Sequence, residues 1–154
     1  MSLEVGSFAP DFTLPSTAGR DFCLSRDAKD KSCIIYIYPQ DFTPICTEQA
    51  CAFKDAFETF RDLDIDVYGL SRDPIEEHLR FKESYNLPFE LISDVEGKVL
   101  RSYGIIVPLS KYTKMFNFTK RVTYLLNKDH KIISVYQNAF FPKKHIEALI
   151  EKLK

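Results

Sequence analysis

The run SCIIYIY, residues 32–38, constrains the fold of this chain more than any other stretch. A strand with one wet face alternates apolar and polar residues. A continuous β-branched and aromatic run of this kind instead needs cover on both faces. DIDVYGLS (64–71) reads as a second buried strand. Between the two, from Pro44 to about Asp62, the pattern turns helical: Cys46, Ala50, Phe53, Phe57 and Phe60 share one face. Asp73-Pro74 then supplies an N-cap and a proline at the first helical position, opening a helix to about Tyr85.

FELISD (89–94) is a further short strand. VTYLL (122–126) and KIISVY (131–136) flank the turn NKDH as a hairpin. DFTLPSTAGRDFCL (11–24) carries a turn cluster, Pro15 to Gly19, between two short apolar runs, so an N-terminal β-hairpin is expected. At the C-terminal end, Ile146, Leu149, Ile150 and Leu153 form one stripe of an amphipathic helix. The order is βαβα, then a hairpin and a helix. This predicts an α/β fold with a mixed central sheet, helices on both faces and a right-handed crossover. Segment 104–119 shows no clear period and is long for a loop. No repeat or low-complexity linker interrupts the 154 residues, so one domain spanning 1–154 is expected.

Charge narrows the function classes. With 21 basic and 22 acidic residues the net charge is −1, and nothing in it suggests a nucleic-acid or anionic-membrane partner, both of which need clustered positive charge. SKYTKMFNFTKR (110–121) mixes lysine with aromatics as single-strand binders do, but no second basic stripe accompanies it. No apolar run approaches the roughly 20 residues of a membrane span. The opening MSLEVGSFAPDF has neither a basic n-region nor a long apolar h-region, so a cytoplasmic chain is expected. Four cysteines in a reducing compartment argue for transient rather than structural disulfides.

Two of those cysteines lie in YPQDFTPICTEQAC (38–51). With Thr43 as N-cap and Pro44 at N1, Cys46 falls at N3, among unpaired backbone N–H groups at the positive end of the helix. Both effects favour thiolate over thiol. Thr43 can also turn its hydroxyl to the sulfur. An apolar helix face by itself makes a buried, inert cysteine the ordinary outcome; the Thr-Pro helix start reverses that expectation. Cys51 lies five residues on, where an intact helix separates the two Cα atoms by roughly 8–9 Å. A disulfide needs less than about 7 Å. A static bridge is therefore disfavoured, whereas a reversible one, formed when the first turns unwind, fits.

Other cysteine chemistries fit less well. No pair has the C-x-x-C spacing of a dithiol exchange site, and Cys23, Cys33, Cys46 and Cys51 lack zinc-ligand spacing. Cys23 and Cys33 lie in strand-like runs and are expected to be inert core residues. His78, His130 and His145 fall in a surface-like helix, a turn and the terminal helix, as solvated or structural groups rather than bases. No glycine-rich phosphate loop is present.

YPQDFTPICTEQACAFKD resembles the active-site segment of peroxiredoxins, Pro-x-x-x-Thr-x-x-Cys, here Pro39, Thr43 and Cys46. The second cysteine, Cys51, is similar to that of the two-cysteine branch called peroxiredoxin Q or bacterioferritin comigratory protein. GSFAPDFTL, VYGLSRDP, LISDVEGKVLRSYGI and KRVTYLLNKDHKI agree in order, and in the last Arg121 matches the family's active-site arginine. Ile45 stands where many relatives have glycine, Val107-Pro108 alters the start of the variable segment, and Cys33 has no family role.

The resemblance implies a thioredoxin-like fold with an N-terminal hairpin extension and thiol-dependent reduction of hydrogen peroxide and organic hydroperoxides. It implies a catalytic set of Cys46, Cys51, Thr43, Arg121 and Pro39. In that set Cys46 becomes a sulfenic acid, Cys51 resolves it, and a thioredoxin or glutaredoxin-like dithiol recycles the disulfide. No metal or organic cofactor is implied, and the branch favours a monomer, with a weak dimer as the alternative. Phe116 and Phe118 offer a partner patch if they do not pack inward. A redox sensor or holdase using the same cysteine pair as a switch, and a domain with only a packing role, are the competing readings.

Overall fold

The computed structural model describes residues 3–110, 113–137 and 141–153, with backbone alone for 106–110 and 113–119. In chain order the elements are β1 (Thr13–Pro15), β2 (Asp21–Cys23), α1 (Leu24–Asp27), β3 (Ser32–Ile37), α2 (Pro44–Asp55), α3 (Phe57–Asp62), β4 (Ile65–Ser71) and α4 (Ile75–Tyr85). They continue with β5 (Glu90–Ser93), α5 (Lys98–Ser102), β6 (Ile106–Ser110), β7 (Thr113–Thr119), β8 (Val122–Leu126), β9 (Ile132–Gln137) and α6 (Pro142–Leu153).

The central sheet runs β5-β4-β3-β8-β9, parallel across β5, β4 and β3 and antiparallel across β3, β8 and β9. β3 sits in the middle, which accounts for its unbroken apolar sequence. Cys33, Ile35 and Ile37 point to one face and Ile34, Tyr36 and Tyr38 to the other, all fully buried. The first face is closed by the β1–β2 hairpin, α1 and α5 through Phe22, Leu24, Ala28, Leu100 and Tyr103. The second packs against α2, α3, α4 and α6 through Ala50, Phe53, Phe60, Phe81, Ile146 and Leu149. This is the mixed, helix-flanked sheet of the thioredoxin-like fold. No helix among the described residues is long and apolar enough to cross a membrane.

Three expectations need correction. The helix from Pro44 to Asp62 is interrupted at Ala56, whose backbone (φ −94°, ψ 1°) departs from helical values while keeping its bonds to Ala52 and Phe60, and α3 follows as a separate helix. Phe57 remains half-buried and Phe60 fully buried, so the interruption does not lose the apolar face. At the start of α4 the cap moves by one residue: Pro74 is the extended N-cap (φ −71°, ψ 160°) and Ile75 the first helical residue. Asp73 is engaged elsewhere, accepting from the backbone N–H of Asp41. Within segment 104–119, β6 and β7 pair antiparallel, with a shift in register between Pro108 and Ser110. That shift is a physical reason for its missing period. The side chains of Phe116 and Phe118 lie outside the described residues, and the partner-patch expectation with them.

Candidate active site

β3 ends at Ile37, and the chain then crosses the carboxyl end of the parallel strands before entering α2 at Pro44. Crevices at that edge of an open α/β sheet are where ligands bind. The antiparallel register pairs Ile37 with Val122, so the residue just before β8, Arg121, lands beside the same edge. This brings together residues 75 positions apart: Arg121 Nη2 donates to Cys46 Sγ at 3.1 Å. The second guanidinium nitrogen, Nη1, donates to Gln49 Oε1 at 2.8 Å. All three side chains are buried: Cys46 is 1% exposed, Gln49 0% and Arg121 9%.

Cys46 occupies N3 of α2 behind Pro44 at N1, as the sequence spacing requires. No acidic residue stands in the first turn to offset the positive end of the helix. The sulfur thus faces a fixed cation and the open amide end of its own helix, an arrangement that stabilises negative charge there. Gln49 was not anticipated, although its position one turn after Cys46 on the same face was the available signal. Among the described residues its Nε2 has no hydrogen-bond partner.

Thr43 is the N-cap residue, extended at φ −75° and ψ 151°, but its hydroxyl does not cap the helix. Nor does it turn to the sulfur: Oγ1 donates to Gln40 O at 2.8 Å. The proton is thereby committed, and the oxygen's lone pairs remain to accept from an incoming O–H. Pro39 is half-buried on the loop before Thr43.

Cys51 lies on the same unbroken helix as Cys46, both thiols are free, and burial raises the pKa of Cys51, which keeps its sulfur protonated. The remaining cysteines differ from one another. Cys33 is fully buried, and burial with Asp66 nearby pushes its thiol up to about 12. Cys23 is only half-buried and is not a core residue; the Ser25 hydroxyl beside its sulfur lowers its pKa.

The histidines need a larger correction. His78 is not on a solvated face: it is 0% exposed, with Nδ1 2.6 Å from Asp41 Oδ2 and Nε2 3.1 Å from Ile92 O. His145 is buried against Thr123 Oγ1 at 2.9 Å, and desolvation lowers it to about 4. His130 Nε2 bonds Ala28 O at 2.7 Å. All three take structural positions. Asp41, Asp73 and His78 bring three ligand-type atoms within 4.8 Å of one another, but each is already engaged in the hydrogen bonds of a closed polar cluster.

Comparison with known proteins agrees with this geometry. Residues 5–135 match the AhpC/TSA family. The chain is 41% identical over 148 residues to the chloroplastic peroxiredoxin Q of Sedum lineare, covering 96% of this chain and 76% of that protein. It is 36% identical over 154 residues to peroxiredoxin Bcp of Bacillus subtilis, covering 100% of this chain and 97% of the other. Among solved structures, the peroxidoxin BcpB of Mycobacterium tuberculosis superposes with a TM-score of 0.89 at 28% identity, over 98% of this chain and 96% of that one.

Proposed function

The chain belongs to the AhpC/TSA family, in its peroxiredoxin Q and Bcp group, and is a thiol-dependent peroxidase; on that premise we propose that Cys46 attacks the hydroperoxide and Cys51 resolves it. The observation that carries the reading is the 3.1 Å contact from the buried Arg121 guanidinium to the Cys46 sulfur at an α-helix N-terminus.

The Cys46 thiolate attacks the terminal oxygen of R–O–O–H. An S–O bond forms as the O–O bond breaks, and the leaving alkoxide takes a proton from water to depart as ROH. Arg121 stabilises charge on the attacking sulfur and on the developing alkoxide. Thr43 Oγ1 accepts from the hydroperoxide O–H, the backbone N–H of Cys46 orients the oxygens, and Pro39 keeps water from the sulfur. The product is a Cys46 sulfenic acid. The first turns of α2 then unwind, and the Cys51 thiol condenses with it. The S–O bond breaks, an S–S bond forms and one water leaves. A protein dithiol of the thioredoxin or glutaredoxin type returns both thiols by exchange and is itself oxidised to a disulfide.

The test is peroxide-dependent NADPH oxidation coupled through thioredoxin and its reductase. Wild type is expected to turn over, Cys46→Ser to show none, and Cys51→Ser to consume one equivalent of peroxide and then recycle slowly. Sustained turnover by Cys46→Ser would remove that residue from the chemistry. A peroxide-induced bridge from Cys46 to Cys23 or Cys33, seen by mass spectrometry, would overturn the resolving role of Cys51. Negligible wild-type turnover with an oxidation-dependent change in binding would favour the switch reading.

A further inference from the structure

The loop between β3 and α2 is tied down by a buried cluster that takes no part in the peroxide chemistry. Tyr38 Oη donates to Asp41 Oδ1 at 2.6 Å. The other oxygen, Oδ2, lies 2.6 Å from His78 Nδ1, with both side chains 0% exposed. The backbone N–H of Asp41 donates to Asp73 Oδ2 at 2.6 Å. His78 Nε2 reaches Ile92 O at 3.1 Å, and a carbonyl only accepts, so that nitrogen carries a proton. Asp41 is thus fixed simultaneously to Tyr38 just after β3, to the β4–α4 turn and, through His78, to β5.

The residue after Asp41 is strained. Phe42 has φ 64°, a left-handed backbone that bulky residues rarely take and that persists only where the surroundings over-determine it. Its ring is 43% exposed and contacts Phe81 at 5.1 Å between centroids. At the other end of the segment, Phe53 is fully buried and Lys54 Nζ donates to Tyr85 O at 2.9 Å. The stretch 42–52, which holds both Cys46 and Cys51, therefore runs between two fixed ends.

We propose that Asp41 and His78 are positioning residues that clamp the N-terminal end of the unwinding segment. The clamp holds the start of α2 in the form that reacts with peroxide, and unwinding of the segment when the disulfide forms has to work against it. It rests on Cys46 and Cys51 acting as the attacking and resolving pair. Because the clamp favours the folded form, cutting it moves the two steps in opposite directions. Peroxide attack needs Cys46 against Arg121 and slows. Condensation of the sulfenic acid with Cys51 needs the unwound form and quickens, so less Cys46 is carried on to the sulfinic acid.

The experiment measures both steps on the full chain: single-turnover peroxide consumption by reduced protein, and the ratio of Cys46–Cys51 disulfide to Cys46 sulfinic acid after excess hydrogen peroxide, by mass spectrometry. Asp41→Ala and His78→Ala are expected to slow the first about tenfold and raise the second about tenfold, the scale of one or two lost buried hydrogen bonds. Asp41→Asn restores both towards wild type, because its amide can accept from Tyr38 and donate to His78. Ile132→Val, buried on the opposite face of the sheet, destabilises the fold without moving either readout. Both steps falling together in Asp41→Ala, an unchanged ratio, or failure of Asp41→Asn to restore it would overturn the proposal. If the alanine variants do not fold, Tyr38→Phe, which removes one of the two side-chain hydrogen bonds to the Asp41 carboxylate, gives the same comparison at smaller amplitude. Loss of the wild-type Cys46–Cys51 disulfide itself would instead count against the underlying mechanism, which keeps the two failures distinct.

Discussion

Replacing Arg121 separates charge from shape at the reactive sulfur. The guanidinium spends two nitrogens on two acceptors, Cys46 Sγ at 3.1 Å and Gln49 Oε1 at 2.8 Å. A lysine brings the same charge on one flexible ammonium and cannot reproduce the planar fork. For Arg121→Lys the loss is one charge-assisted hydrogen bond, about 1.5–3 kcal/mol, or about ten- to a hundredfold in rate. Arg121→Met removes the charge as well. At 3.1 Å, with an effective dielectric of about 20, the attraction between guanidinium and thiolate is about 5 kcal/mol, so a loss of about a thousandfold or more is expected.

The assay is single-turnover peroxide consumption by the reduced protein, without reductant, at fixed pH and ionic strength. Circular dichroism and the urea midpoint show whether each variant is folded. Ionic strength is a useful second axis: a pair this buried should respond weakly to salt, unlike a surface pair. Arg121→Lys reacting at the wild-type rate would show that the fork geometry is irrelevant. Arg121→Met reacting as fast as Arg121→Lys would show that the positive charge is irrelevant. Either result refutes the reasoning that the guanidinium prepares the sulfur.

Gln49→Leu removes the second anchor of that guanidinium from a fully buried position, and is expected to slow peroxide attack about tenfold while leaving condensation of preformed sulfenic acid with Cys51 unchanged. Equal losses in the two steps would point to plain destabilisation. His145 supplies a pH prediction. Burial depresses it from 6.5 to about 4, so between those values the unfolded chain binds a proton that the folded chain does not, and stability falls as pH drops through that window. Urea unfolding is expected to show about 2 kcal/mol less stability at pH 5 than at pH 7, a difference that His145→Gln abolishes; an unchanged wild-type value would contradict the burial argument.

What could be read from the chain beforehand divides along a physical line. β3 was legible because burial on both faces leaves an unbroken apolar run, and α2 because Pro44 and the apolar face announce its start. Arg121 was legible only through resemblance, since its contact with Cys46 spans 75 positions and no local pattern encodes it. His78 shows the limit of periodicity. It lies on a helix of strongly polar sequence, yet is fully buried because its partner Asp41, 37 positions away, makes burial tolerable. The expected Asp73 cap failed for a related reason: a tertiary acceptor role outcompeted the local one. The pairing of β6 with β7 was hidden by its register shift, and α1 and α5, of four and five residues, are too short to show a helical period.

The two cysteines place opposite demands on α2. Peroxide attack, as proposed, needs the helix intact so that Sγ meets Arg121; disulfide formation needs its first turns open. The local construction suits both. Thr43 does not cap the helix with its side chain, and the β-branched Ile45 and Thr47 favour it weakly. The first turn is therefore held mainly by tertiary contacts: the Asp41 cluster upstream, Phe53 downstream and Arg121 on the sulfur itself. Of these, only the last depends on the redox state of Cys46. Converting a thiolate to a neutral sulfenic acid removes the anion that Arg121 binds, and so weakens the one contact that ties the reactive sulfur to β8. On the proposed mechanism, oxidation of the thiol itself lowers the cost of the opening that lets Cys51 reach it, and the helix needs no external trigger to change from the conformation that takes oxygen to the one that gives it up.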